Sequence, residues 1–171
     1  MKILLENWQK YLKENKNTIY YWQPRGLWRG DKAVEFGVTH VPQASQRDTP
    51  VEKIFEKVRE ESFPDRPSRL SCVYLCDNLG GFSGGSYCSD KKEDIFGEPV
   101  EIYKVELRGN YQILKTNSEL FTKARELYDD GASEERIAGV AESYWVPKGL
   151  ITFGEILVSP PAAAIIVGRH E

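Results

Sequence analysis

Apolar residues recur at helical spacing in four stretches of the chain and at strand-like density in five others. Residues 2–14 set Leu4 or Leu5, Trp8, Tyr11 and Leu12 on one face with Lys and Glu between them. With the polar Asn-Lys-Asn break that follows, this predicts an amphipathic leader helix within residues 1–17, able to dock on its own domain or on a partner. A second helix is predicted from Thr49, which caps, with Pro50 in the first turn, Glu52 closing a capping box, and Val51, Ile54, Phe55 and Val58 on one face. It stops before Phe63-Pro64. Two more helices follow late in the chain. One carries Leu120, Phe121, Ala124, Leu127 and Tyr128; the other is capped by Ser133, has Glu134 and Glu135 in its first turn, and turns Ile137, Val140, Ala141 and Tyr144 to one side. Gly131 marks the turn between them.

Strand signals are of two kinds. Leu70 to Cys76 is a short apolar run without Gly or Pro, which predicts a buried strand followed by the breaker Asp77-Asn78-Leu79-Gly80-Gly81. Val100 to Leu107 and Tyr111 to Lys115, separated by Arg108-Gly109-Asn110, predict a hairpin. Glu155 to Val158 and Ala163 to Val167 predict two final strands bent by Ser159-Pro160-Pro161. Helices and strands are mixed without β-α-β alternation, so the expected class is α+β with a largely antiparallel sheet, and a Rossmann arrangement is disfavoured. There is no internal repeat and no linker to a second domain, so residues 18–171 are expected to form one domain behind the leader, within the usual size range for 171 residues in all.

Composition narrows the partners. Hydrophobic residues make up 40% and charged residues 29%, as in globular proteins, and the net charge of -3 gives no basic field for bulk binding to nucleic acid. No stretch approaches the roughly 20 apolar residues that span a bilayer, and nothing directs export, so the expected setting is cytoplasmic and away from membranes. Cys72, Cys76 and Cys88 form no Cys-x-x-Cys pair and have no neighbouring His, so they are expected to be reduced thiols rather than metal ligands.

Phosphate-loop, zinc-helix and dinucleotide glycine motifs are absent. Gly81-Phe82-Ser83-Gly84-Gly85 matches the nucleophile-elbow pattern, with His170 as the later histidine, but no helix is predicted after Ser83 and a polar loop is the better reading. Four segments in fixed order carry more: Leu27-Trp28-Arg29-Gly30, Cys72-Val73-Tyr74-Leu75-Cys76-Asp77, Ser86-Tyr87-Cys88 and Glu155-Ile156-Leu157-Val158. Over roughly residues 25 to 167 this order resembles the ADP-ribosyltransferase superfamily. Its polymerase branch reads Leu-Trp-His-Gly, Gly-Ile-Tyr-Phe-Ala-Asp, Ala-Asn-Tyr-Cys and Glu-Tyr-Ile-Val at the corresponding places. Its toxin-like branch has Arg in the first segment, Ser on the middle strand and Glu at the start of the last.

The resemblance implies a split antiparallel β-sheet core with flanking helices, NAD as substrate, no metal, and Glu155 as the catalytic carboxylate that steadies positive charge on the ribose. It implies NAD contacts from Arg29 to the pyrophosphate or ribose, from Gly30 through its backbone, and from Tyr74 and Tyr87 stacked on nicotinamide. Ser71 takes the toxin-like serine role in preference to its rival Ser68, and Tyr144-Trp145, which also resembles bacterial and phage members, is read as packing. Arg29 in place of the polymerase His argues for transfer of single ADP-ribose units. Phe153, where arginine-modifying members have Glu or Gln, argues against an arginine acceptor, leaving a protein or nucleic-acid acceptor unidentified. The rival expectations are an NAD glycohydrolase using the same pocket and a non-catalytic, phage or virion-associated binding module that docks through the leader. If phage-encoded, the chain would act in the host cytoplasm.

Overall fold

The structure, a computed structural model, describes residues 19–22, 49–80, 88, 101–149, 151 and 154–171. The leader, Arg29, Gly30, Ser83, Tyr87 and Phe153 lie outside the described residues.

Two helices begin at their predicted caps, Thr49 and Ser133, and a third begins after Asn117. In α1 (Pro50–Ser62), the Thr49 hydroxyl accepts the Glu52 N–H at 3.2 Å, and the Phe63 N–H closes the end on the Arg59 carbonyl at 2.7 Å. The predicted capping box forms only in this half. The Glu52 carboxylate does not turn back to the cap; it faces inward, buried, toward Arg69. In α2 (Ser118–Asp129) the Asn117 side chain accepts the Glu119 N–H, and in α3 (Glu134–Trp145) the Ser133 hydroxyl accepts the Arg136 N–H. Gly131, at φ +77°, takes the left-handed turn between the two helices.

Six strands are described: β1 (Tyr20–Trp22), β2 (Val73–Leu75), β3 (Tyr103–Leu107), β4 (Gln112–Asn117), β5 (Gly154–Ser159) and β6 (Ala164–Arg169). They form two three-stranded antiparallel sheets, ordered β1-β3-β6 and β2-β5-β4. The class is therefore α+β. The expected hairpin is not one, because β3 and β4 belong to different sheets and Arg108-Gly109-Asn110 is a corner between them. The physical reason lies in the side chains: Tyr103 and Val105 of β3 and Ile113 of β4 are buried in the one core shared by the two sheets, so these strands lie on facing sheets where a hairpin would pair their edges. Gly109, at φ +76°, makes the corner. The second corner, from β5 to β6 through Pro160 and a 3₁₀ turn at Pro161–Ala163, lies against the first, with the Arg108 N–H donating to the Ala163 carbonyl at 2.8 Å.

The predicted buried strand from Leu70 to Cys76 is also shorter than expected. Leu70 and Ser71 lie in an exposed turn, closed by the Ser71 and Cys72 N–H groups donating to the Ser68 carbonyl, and the strand begins at Val73. At its other end Cys76 and Tyr21 exchange backbone hydrogen bonds of 2.7 and 2.9 Å, joining the two sheets. Cys76 is disulfide-bonded to Cys88 across a Cα–Cα distance of 5.9 Å, which corrects the expectation of three reduced thiols; Cys72 is outside that disulfide and buried. Twelve residues of spacing carry no sign of such a pairing; the fold brings Cys88 to the end of β2.

The β2-β5-β4 sheet is the middle layer. Ile156, Val158, Val73 and Leu75 face the β1-β3-β6 sheet, while Leu157 and Leu114 face Phe55 of α1, Ala124 of α2, and Ile137, Ala141 and Trp145 of α3. Burial on both faces explains why β5 reads as a continuous apolar run rather than an alternating one. Glu155 is the exception in that run, and it points into the helical layer.

Candidate functional site

Four charged or polar residues are buried among the described residues: Glu52, Arg69, Thr116 and Glu155. Three of them meet at one guanidinium. Arg69, in the turn before β2, donates from Nε and Nη2 to the two oxygens of Glu52, both at 3.0 Å. Its Nη1 donates to Glu155 Oε1 at 3.0 Å and to the Tyr144 hydroxyl at 2.5 Å. The Tyr144 hydroxyl donates in turn to the same Oε1 of Glu155. Glu155 Oε2 has no hydrogen-bond partner among the described residues.

Each partner is delivered by a different element: Glu52 by the first turn of α1, Tyr144 by the last turn of α3, and Glu155 by the middle strand. Aromatic rings enclose them. The guanidinium carbon lies 3.9 Å from the centroid of Phe121 in α2, 5.1 Å from Tyr144 and 5.3 Å from Tyr74. The Tyr74 hydroxyl donates to the Arg69 carbonyl at 3.3 Å, and Thr116 Oγ1 donates to the Tyr144 carbonyl at 2.6 Å, so the turn and the helix end are both tied down.

Electrostatics follow from the depth of the cluster. Burial opposes the charged form of Arg69, but the Tyr144 and Tyr74 phenols and the Glu155 and Glu52 carboxylates outweigh it and hold the guanidinium pKa well above its usual range. Burial pushes the Tyr144 phenol well above its ordinary value; Arg69 opposes this and Glu155 adds to it. Tyr144 is thus a fixed O–H donor. Among the described residues, two carboxylates facing one guanidinium leave a formal charge of -1 in a buried place, an arrangement suited to a ligand that carries or develops positive charge.

Residues 5–166 match the family described as Protein of unknown function (DUF2441). The chain belongs to the DUF2441 family. No curated protein matches this DUF2441 chain.

Of the residues singled out in the DUF2441 sequence, Glu155 and Tyr74 converge on Arg69. Ser71 is exposed in the turn and not on the strand, and its rival Ser68 donates its hydroxyl to Glu56 Oε2 at 3.0 Å, away from the cluster. Tyr144, expected as packing, touches Glu155 directly. Neither Arg69 nor Glu52 is expected at the site from the sequence, where Glu52 reads only as the residue closing a capping box. The only signal was Glu52 itself, one residue from Val51 and three from Phe55 on the buried face of α1, a charge among apolar positions. His170 packs edge-on against Tyr21 at 5.4 Å. No helix among the described residues is long and apolar enough to cross a membrane.

Proposed function

We propose that this protein transfers single ADP-ribose units from NAD, with Glu155 as the catalytic carboxylate. The observation that carries the reading is the convergence of Glu155 and Tyr74, each expected from a separate sequence segment, on one buried guanidinium, with Glu155 Oε2 left without a hydrogen-bond partner among the described residues. That oxygen is an acceptor suited to a ribose hydroxyl. In the reaction the bond between ribose C1 and the nicotinamide nitrogen breaks, its electron pair leaves with neutral nicotinamide, and positive charge develops on the sugar. The acceptor then forms the new bond to C1 and gives up a proton. The excess negative charge around Glu155 stabilises the cationic sugar relative to the ground state, which is the differential interaction catalysis needs. The division of six strands between two antiparallel sheets supports a core of the ADP-ribosyltransferase type.

A second reading, a buried ion network without turnover, is favoured by one observation: Glu155 is only 3% exposed. The experiment that separates them measures nicotinamide release from NAD by wild type and Glu155→Gln, with labelled NAD and cell lysate present. Release lost in the variant, together with label on an acceptor, supports transfer. Release without label indicates a glycohydrolase, and no release from the wild type leaves the network reading.

A further inference from the structure

We propose that Glu52 is a positioning residue: by occupying the fork of Arg69 it prevents the guanidinium from taking both oxygens of Glu155, and so keeps Oε2 open for a ligand hydroxyl. This rests on the reading of Glu155 as the catalytic carboxylate. A guanidinium prefers to meet a carboxylate with two parallel N–H bonds. Arg69 has two carboxylates within reach and gives its paired Nε and Nη2 donors to Glu52, at 3.0 Å each. Glu155 receives only Nη1, through Oε1. Phe121, with its centroid 3.9 Å from the guanidinium carbon, restricts motion out of the plane, and the Tyr144 hydroxyl holds Oε1 from a second direction.

Without the Glu52 charge, the fork is free to rotate onto Glu155. Both carboxylate oxygens would then be engaged, and the excess negative charge of the cluster would vanish with Glu52. The competition needs a forked donor. A lysine at position 69 offers a point charge that cannot grip two oxygens in this way, so Glu52 should lose its hold on the Glu155 oxygen, though not its charge, once Arg69 is replaced by lysine.

The test compares wild type, Glu52→Gln, Arg69→Lys and the double variant, each with its far-UV and thermal unfolding profile recorded, in nicotinamide release from NAD. Glu52→Gln is expected to lower kcat about tenfold with KM changed less than about twofold, by the logic of an interaction realised in the transition state. In the Arg69→Lys background only the loss of the Glu52 charge remains, so the same substitution is expected to lower kcat by clearly less, about threefold. Equal losses in both backgrounds would overturn the proposal, as would a Glu52→Gln protein with wild-type kcat. A crystal structure of Glu52→Gln gives a readout that needs no turnover: the expected result is Arg69 bonded to both Glu155 oxygens, and Arg69 unmoved with Oε2 still open overturns the proposal. A wild type that releases no nicotinamide would sink the reading of the site instead, and the crystal structure would still decide the competition.

Discussion

The two arginines that bracket the loop between α1 and β2 meet their carboxylates in opposite ways. Arg59, in the last turn of α1, is half-buried and gives Nε and Nη2 to the single Oε1 of Glu56, while Nη1 reaches the carbonyls of Pro64 and Arg66 at 3.3 Å. Glu56 Oε2 takes the Ser68 hydroxyl, and the exposed Glu60 approaches only to 3.9 Å. One cation meets one close anion, both Glu56 oxygens are used, and the result fastens residues 63–68 onto the helix. Arg69 is buried, faces two carboxylates, and leaves Glu155 Oε2 without a partner among the described residues. A clamp has every reason to balance its charges, because an uncompensated buried charge costs stability. The Arg59 cluster has the composition of a clamp, and the Arg69 cluster departs from it in the direction a cationic transition state requires.

The sharpest way to break this comparison is to remove each cation in turn. Arg69→Met leaves two buried carboxylates without their partner and is expected to cost about 4 kcal/mol of unfolding free energy. Arg59→Met exposes its carboxylate to water and is expected to cost about 1 kcal/mol or less. Urea denaturation checks both. Comparable losses would make the two clusters equivalent clamps. Next comes Glu155→Gln, which keeps the side-chain shape and removes the excess charge while Arg69 retains Glu52. Stability should change by less than about 1 kcal/mol, while nicotinamide release falls at least about 100-fold, equivalent to about 2.7 kcal/mol of barrier. A large stability loss with unchanged release would assign Glu155 to the scaffold.

Alkaline titration sharpens the comparison by setting Tyr144 beside a phenol in the other sheet. Tyr103, on β3, is pushed up to about 12, first by burial and then by its hydrogen bond to Glu101; Tyr144 is pushed well above 10, first by burial, with Glu155 adding to the rise and Arg69 opposing it. Both groups bind their protons more tightly folded than unfolded. Their contribution to stability is therefore complete below about pH 10 and is lost as pH rises through the folded values. Unfolding free energy should fall between about pH 10 and 12, and Glu155→Gln should let Tyr144 ionise at lower pH without moving Tyr103. NMR of the ring carbons reads each separately. A Tyr144 midpoint that ignores Glu155 would contradict the hydrogen bond between them.

How much of this was legible in the sequence depends on the range of the interactions involved. The caps at Thr49 and Ser133 and the apolar faces of α1, α2 and α3 are local patterns, and the helices begin at those caps. Glu155 and Tyr74 could be singled out because short segments carry them. Arg69 and Glu52 could not, because their meaning arises across 17 residues between them and 86 between Arg69 and Glu155. The Arg108-Gly109-Asn110 turn is ambiguous for a related reason: a glycine at positive φ serves a hairpin or a corner equally well, and only the burial of Tyr103, Val105 and Ile113 in the core between the sheets selects the corner. The Cys76–Cys88 bond is likewise set by where the fold carries residue 88.

The smallest expected effect concerns Glu56. Removing its charge by Glu56→Gln loosens an i,i+3 pair at the half-buried surface of α1 and is expected to cost about 0.5 kcal/mol at low salt. In about 1 M salt, where the screening length falls to about 3 Å, most of that difference should disappear. The Glu52 charge lies with Arg69 beneath the helices, out of reach of the ionic atmosphere, so the cost of Glu52→Gln should be the same at both salt concentrations. Denaturation of the two variants with and without salt measures the contrast directly. If Glu52→Gln follows salt as Glu56→Gln does, the Arg69 cluster is open to solvent, and the charge imbalance that distinguishes it would be neutralised by ions rather than held for a ligand.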